Sequence, residues 1–365
     1  MPERRVRGDR RRSGWPTTGT TTGRRTRTGP LKKGLPTMKT TMKTTMKKPL
    51  VIASALCTLA VLSTACGGSG STSDSAASKS STTSTVPGAG TSIVNVWVGP
   101  PADTTKLPIG TSKVTLTGPA VGGLYACDGG MPNGGGAHAA GPWLDEVAGT
   151  WDLSKKISVE GDVAWPMASY SEVIDGDTRL ITSNGLPIDE HTGTFPIASN
   201  DPAYAYDRNP NRIASNDVKV SLSITPSIAS APKCLGKGQI GIMKNGVSMF
   251  APLDERNRDA VAYETQDSCD GHPQQSSVYH YHDVPSCLRN AAMGPSTVVG
   301  FAYDGFPIVV ERNAAGDLPT NADLDACHGR SSPIELDGKT IESYHYSATY
   351  EFPYFIGCFT GTPIS

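Results

Sequence analysis

The stretch Val278-Tyr279-His280-Tyr281-His282, with its near-echo Ser343-Tyr344-His345-Tyr346-Ser347, decides how the rest of the chain is read. Side chains alternate faces along an extended strand, so His280 and His282 point one way and Tyr279 and Tyr281 the other. The same phase recurs in the echo, where His345 takes the place of His280 and Ser347 that of His282. Five of the seven histidines lie between His272 and His345. Two imidazoles two residues apart on one strand face can converge on a single ion or substrate, and chemistry is expected here.

Outward from these triplets the sequence repeats itself. Gly241–Phe250 aligns with Gly300–Val309, and Asp267-Ser268-Cys269-Asp270-Gly271-His272 aligns with Asp325-Ala326-Cys327-His328-Gly329-Arg330. The Tyr-His-Tyr triplets follow in both, and Cys287 and Cys358 close the units. Each unit reads as strand, Asx-Gly turn, strand, cysteine loop, histidine strand and cysteine. An internal duplication is therefore expected, with pseudo-repeats at residues 240–287 and 299–358. If the two units pack about a pseudo-twofold axis, their histidine strands face one another. His280, His282 and His345 would then form the core of one site. An earlier fragment, Leu180–Ile188, shares only the turn.

Short apolar runs bounded by turn residues recur elsewhere, at Ser92–Val98, Lys113–Thr117, Ile157–Val159 and Val218–Ile224. Gly and Pro are abundant, at 40 and 28 residues, which leaves little room for uninterrupted helices. The fold expected is mainly β, a disulfide-stabilised β-rich domain with long loops. An N-terminal β region at 92–159 precedes the principal domain at 160–365.

The first 65 residues read as a signal region. Residues 1–48 carry 15 of the 33 Lys and Arg against only two acids, whereas the whole chain has a net charge of −1, so the remainder is acidic. An uncharged apolar run from Pro49 to Ala65 follows, too short for a membrane span of about 20 residues. It ends in Leu62-Ser63-Thr64-Ala65-Cys66-Gly67, which resembles a bacterial lipobox with Cys66 as the lipid-modified residue. Met38, Met42 and Met46 each offer a more ordinary start, so residues 1–37 read as a start assigned too far upstream. Residues 66–91 form a Ser/Gly/Thr tether. The expected location is an exported lipoprotein on the extracytoplasmic side of the cell membrane, joined to it by an N-terminal lipid. The acidic exported part argues against nucleic acid as a partner. No P-loop or dinucleotide fingerprint supports a nucleotide.

Six cysteines remain in the exported part: Cys127, Cys234, Cys269, Cys287, Cys327 and Cys358. An even number in an oxidising compartment implies three disulfides. If each repeat closes its own loop, Cys269 pairs with Cys287 and Cys327 with Cys358, leaving Cys127 for Cys234.

The segments Cys269–Pro273, Val278–His282, Gly300–Ile308, Leu324–Gly329 and Tyr344-His345-Tyr346 together resemble the YHYH protein family. Phe352–Phe359 is similar to its closing pattern, and the resemblance extends over roughly residues 160–365. It implies a family but no activity, because none is established for that family.

Neutral imidazole is a common ligand for borderline metals. Three imidazoles from His280, His282 and His345, with His272 or His328 as a fourth, suit copper or zinc. The competing reading has the histidines bonding loops across a sheet while their tyrosine neighbours fill the core. Asp304 reads first as a turn residue satisfying its own backbone, and second as a carboxylate orienting a metal-bound histidine. Neither G-x-S-x-G nor HExxH is present, and a hydrolase with a dispersed triad is the third reading.

Overall fold

The computed structural model describes residues 92–364; the signal region, Cys66 and the tether fall outside the described residues. Five two-residue strands come first: β1 Leu107–Pro108, β2 Val114–Thr115, β3 Leu124–Tyr125, β4 Leu144–Asp145 and β5 Thr150–Trp151. They pair as β1-β5-β4 and β2-β3, and Leu107, Leu124, Trp143 and Trp151 reach into the main core. Three longer strands follow, β6 Tyr170–Asp175, β7 Thr178–Ser183 and β8 Val218–Ser223, forming an antiparallel sheet in that order. Val218, Val220 and Leu222 alternate inward along β8 and, with Ile181, pack against Ile242 and Phe301 of the principal sheet.

That principal sheet has eight strands: β9 Gln239–Met243, β10 Ser248–Phe250, β11 Gly271–Pro273, β12 Tyr279–Tyr281, β13 Ser296–Ala302, β14 Pro307–Glu311, β15 Gly329–Leu336 and β16 Lys339–Ser347. Their order is β11-β12-β10-β9-β13-β14-β16-β15. The pairs β10–β12 and β14–β16 are parallel, and the remaining neighbours are antiparallel. Asn245-Gly246 turns β9 into β10 and Asp304-Gly305 turns β13 into β14. The glycines take φ of 92° and 89°, a region that costs a side chain 1–2 kcal/mol or so.

The tyrosines of both triplets face the core, as strand alternation requires. Tyr279, Tyr281 and Tyr346 are fully buried, and each phenol finds a polar partner. Three disulfides join Cys127 to Cys234, Cys269 to Cys287 and Cys327 to Cys358, the pairing expected from the repeat. Such bonds mark an oxidising, extracytoplasmic compartment. Among the described residues no helix is long and apolar enough to cross a membrane.

Several local expectations fail. Ser92–Val98 forms no strand: the Asn95 amide donates to the Pro295 and Arg312 carbonyls, and Val94, Val96 and Val98 lie exposed. Lys113–Thr117 shrinks to the two residues of β2, and Ile157–Val159 forms no strand. The two histidine strands do not face one another. β12 is the second strand of the sheet and β16 the seventh, so five strand spacings of about 4.8 Å separate them. The pseudo-twofold arrangement was expected to bring them together; instead the β9–β13 pair occupies the middle.

Candidate metal centre

His272 and His280 are direct partners across the antiparallel β11–β12 ladder, so their side chains leave the same face. His282, two residues beyond His280, returns to that face. One ligand atom from each of these three buried histidines lies within 4.8 Å of the other two. Short strands flanked by turns bring them together: Ser277 takes φ of 65° in the β11–β12 connection, and the Cys269–Cys287 disulfide closes the segment outside the strands.

The hydrogen bonds settle which ring nitrogens are free. His282 Nδ1 lies 2.5 Å from the Ala251 carbonyl oxygen, and His280 Nδ1 lies 3.2 Å from that of Val278. A carbonyl only accepts, so both Nδ1 atoms carry the hydrogen and both Nε2 atoms of the neutral rings are bare lone pairs. Those two Nε2 atoms stand 3.1 Å apart. Two acceptors at that distance repel unless an electron-pair acceptor sits between them. A proton could serve, but burial holds His280 and His272 well below the ordinary imidazole range and His282 down at about 4. A metal ion held between the rings would satisfy both lone pairs, and these three histidines could hold one. Tetrahedral ligands at about 2.0–2.1 Å from zinc lie about 3.3 Å from one another, close to the separation found here. The backbone carbonyls behind both rings fix the tautomer in the manner usual for metal-bound histidine.

His272 adds to the argument because both its ring nitrogens are buried without a hydrogen-bond partner. Glu264 points at the cluster, 3.7 Å from His272 Nε2 and 3.6 Å from His282 Nε2. Burial, together with Asp207 and Asp254 nearby, raises its carboxyl well above the usual range. Asp254 is already held by Arg258, whose Nε donates to it over 2.7 Å. Gly136 closes against both acids: at φ 99°, a Cβ there would lie 2.7 Å from Glu264 Oε1 and 3.1 Å from Asp254 Oδ2. The Phe250 ring stacks on His280 with centroids 4.0 Å apart and limits its rotation.

The cluster opens into a cleft of about 1100 Å³ whose walls include Asp207, Asn209, Lys237 and Gln274. Three imidazoles with an opening to a cleft form the ligand pattern of a metal site with an exchangeable position. All-nitrogen donors suit zinc or copper rather than a hard, oxygen-seeking ion.

The YHYH protein family matches the sequence from Lys219 to Thr320. Residues 219–320 belong to the YHYH protein family. No curated protein and no solved structure gives a match. The YHYH segment is narrower than the resemblance drawn from the motifs. It contains Glu264, His272, His280 and His282 and stops before His328 and His345.

The other histidines predicted for the site lie elsewhere. His345 sits on β16 with its Nε2 3.1 Å from Glu311, and its Nδ1 meets the Ser343 carbonyl. His328 Nε2 bonds the Thr349 hydroxyl at 3.0 Å, and burial lowers its pKa to about 3. Asp304 orients no histidine. It accepts from the Tyr346 hydroxyl and from the Gly361 and Phe306 backbone, so its turn reading is the one realised. Glu264 was missed by sequence reasoning. It caps the short helix α1 (Ala260–Tyr263) at no recognisable ligand spacing; the one available signal was a lone acid in the apolar run Ala260-Val261-Ala262-Tyr263-Glu264.

Proposed function

We propose that this is an exported metal-binding protein that holds one copper or zinc ion through His272, His280 and His282, with Glu264 beside them and the fourth position open to the cleft. The observation that carries the reading is the 3.1 Å approach of two Nε2 atoms whose rings both spend their Nδ1 hydrogens on backbone carbonyls. The cleft leaves the ion reachable, which fits a metal-handling module or a metal-dependent enzyme. The lipobox-like Cys66 and the tether after it support anchorage by an N-terminal lipid, with the disulfide-bonded part held clear of the membrane. The palindromic order of the principal sheet supports reading residues 240–287 and 299–358 as two copies of one unit.

The test is elemental analysis of protein produced by export and dialysed against zinc or copper, then against buffer. One equivalent is expected, falling to none in His280→Ala and His282→Ala with all three disulfides kept. Wild-type protein without bound metal sinks the reading, as does undiminished metal in His280→Ala.

A further inference from the structure

Asp267 and Asp325 organise matching loops ahead of the two histidine strands. Asp267 Oδ1 accepts the N–H groups of Cys269 and Gly271, and Asp325 Oδ1 accepts those of Cys327 and Gly329. Each aspartate returns its own N–H to that glycine's carbonyl, Asp267 to Gly271 and Asp325 to Gly329. The residue between cysteine and glycine is left-handed in both, with φ of 62° at Asp270 and 70° at His328. Tyr279 donates to Asp267 as Tyr344 does to Asp325. Tyr281 meets Asn245 of the first Asx-Gly turn, and Tyr346 meets Asp304 of the second. His280 and His345 direct Nδ1 at the carbonyl two residues back, on Val278 and Ser343.

With so much backbone in common, the differences become informative. Arg330 stands opposite His345 across β15–β16 in the register that sets His272 opposite His280. Ser347 stands where His282 stands. Glu311, fully buried at the end of β14, reaches into this second cluster. Its carboxylate lies 3.1 Å from His345 Nε2 and 3.8 Å from Arg330 Nη1, and it accepts a 2.7 Å hydrogen bond from the Ser347 hydroxyl. The first cluster gathers three neutral imidazoles and an unpaired acid; the second gathers one imidazole, a paired acid and a fixed cation.

We propose that residues 299–358 retain the backbone of a second three-imidazole metal site, closed to metal only by Arg330 and Ser347, with the Arg330 guanidinium supplying the positive charge that an ion would bring. A guanidinium beside Glu311 neutralises it without help from solvent, so this cluster needs no ligand. The inference rests on the metal reading of the first cluster, whose outcome is measured separately by the wild-type stoichiometry.

Arg330→His with Ser347→His restores imidazole at both altered positions. After dialysis against zinc, wild-type protein should hold one equivalent and R330H/S347H two. Adding His345→Ala to that variant should return it to one, and adding His280→Ala should remove the other. Wild-type protein without zinc overturns the first reading. A folded R330H/S347H chain that holds only one equivalent overturns this one. If that variant does not fold, R330H alone decides: two imidazoles and Glu311 should take a second, weaker equivalent, and a folded R330H chain that gains none overturns the proposal equally.

Discussion

Glu264 lies 3.6 Å from Nε2 of His282, and among the described residues no donor hydrogen-bonds its carboxylate. In its charged form this buried carboxyl is an unfavourable neighbour for bare imidazole lone pairs when no cation is present, in keeping with the burial that raises it well above the usual range. With an ion between them the same geometry becomes attractive, so one side chain acts in opposite directions on the empty and the filled site.

Glu264→Gln should therefore separate the two states. In metal-free protein near neutral pH the neutral amide removes the cost of burying a carboxylate beside Asp207 and Asp254, and the unfolding temperature should hold or rise. Metal affinity should fall by about 10–100-fold, the range seen when groups that support a metal site are removed. Competition with a calibrated chelator reads the affinity, and calorimetry reads the stability. Unchanged affinity would show that Glu264 takes no part in holding the ion.

Gly271 tests how tightly the first histidine is placed. A Cβ at this β11 residue would lie 2.1 Å from both Cζ and Oη of Tyr279, a ring that is fully buried and hydrogen-bonded to Asp267. Gly271→Ala should cost about 3 kcal/mol, the upper end of the usual overpacking range, and weaken metal binding by displacing His272 next door. Gly176→Ala is the control. That turn glycine has φ of 61° with nothing within 4 Å, so only backbone strain of about 1–2 kcal/mol is expected, with metal binding unaffected. Denaturant melts and zinc titrations of both variants check the contrast; equal effects on metal would refute the placement argument.

Much of this was legible in the strand periodicity. Alternation put Tyr279 and Tyr281 in the core and His280 and His282 on the other face, and the sheet realises both. The cysteine pairing matches the expectation that Cys269 closes a local loop with Cys287 and Cys327 one with Cys358. What periodicity could not supply was the order of strands within the sheet. Parallel pairing of β10 with β12, and of β14 with β16, sends the histidine strands outward from the β9–β13 centre. His345 consequently meets Glu311, and the third imidazole comes from His272 in the neighbouring cysteine loop. Glu264 owes its place to the chain path after α1, which no local pattern encodes.

The Cys66 expectation concerns residues outside those described and is tested in cells. Cys66→Ser should move the protein from the membrane fraction to the medium or wall fraction. Cys66 takes part in none of the three disulfides, so these should persist in the released protein, and its metal stoichiometry should match that of the anchored form. Continued membrane partitioning of C66S would exclude the lipid anchor.

The last prediction concerns pH and Asp259, which is not one of the clustered histidines or their acid. Asp259 caps α1 through Ala262 N–H and also accepts from Gly110 N–H and the Tyr354 hydroxyl, yet complete burial raises its pKa to about 6. A carboxyl raised above its unfolded value of 3.8 favours the fold while it is protonated. Its contribution is fully present below pH 3.8 and is lost as pH rises through about 6. Asp259→Asn keeps a capping oxygen but cannot titrate. It gives up the acceptor for one of the three donors, which lowers stability by the same amount at every pH. The stability of wild type minus that of D259N should therefore fall across this window, by at most about 1.4 kcal/mol per pH unit, and stay level above it. Urea melts of metal-free protein at pH 4 to 8 measure the difference. A flat difference across that range would mean that the hydrogen bonds from Gly110, Ala262 and Tyr354 cancel the cost of burial.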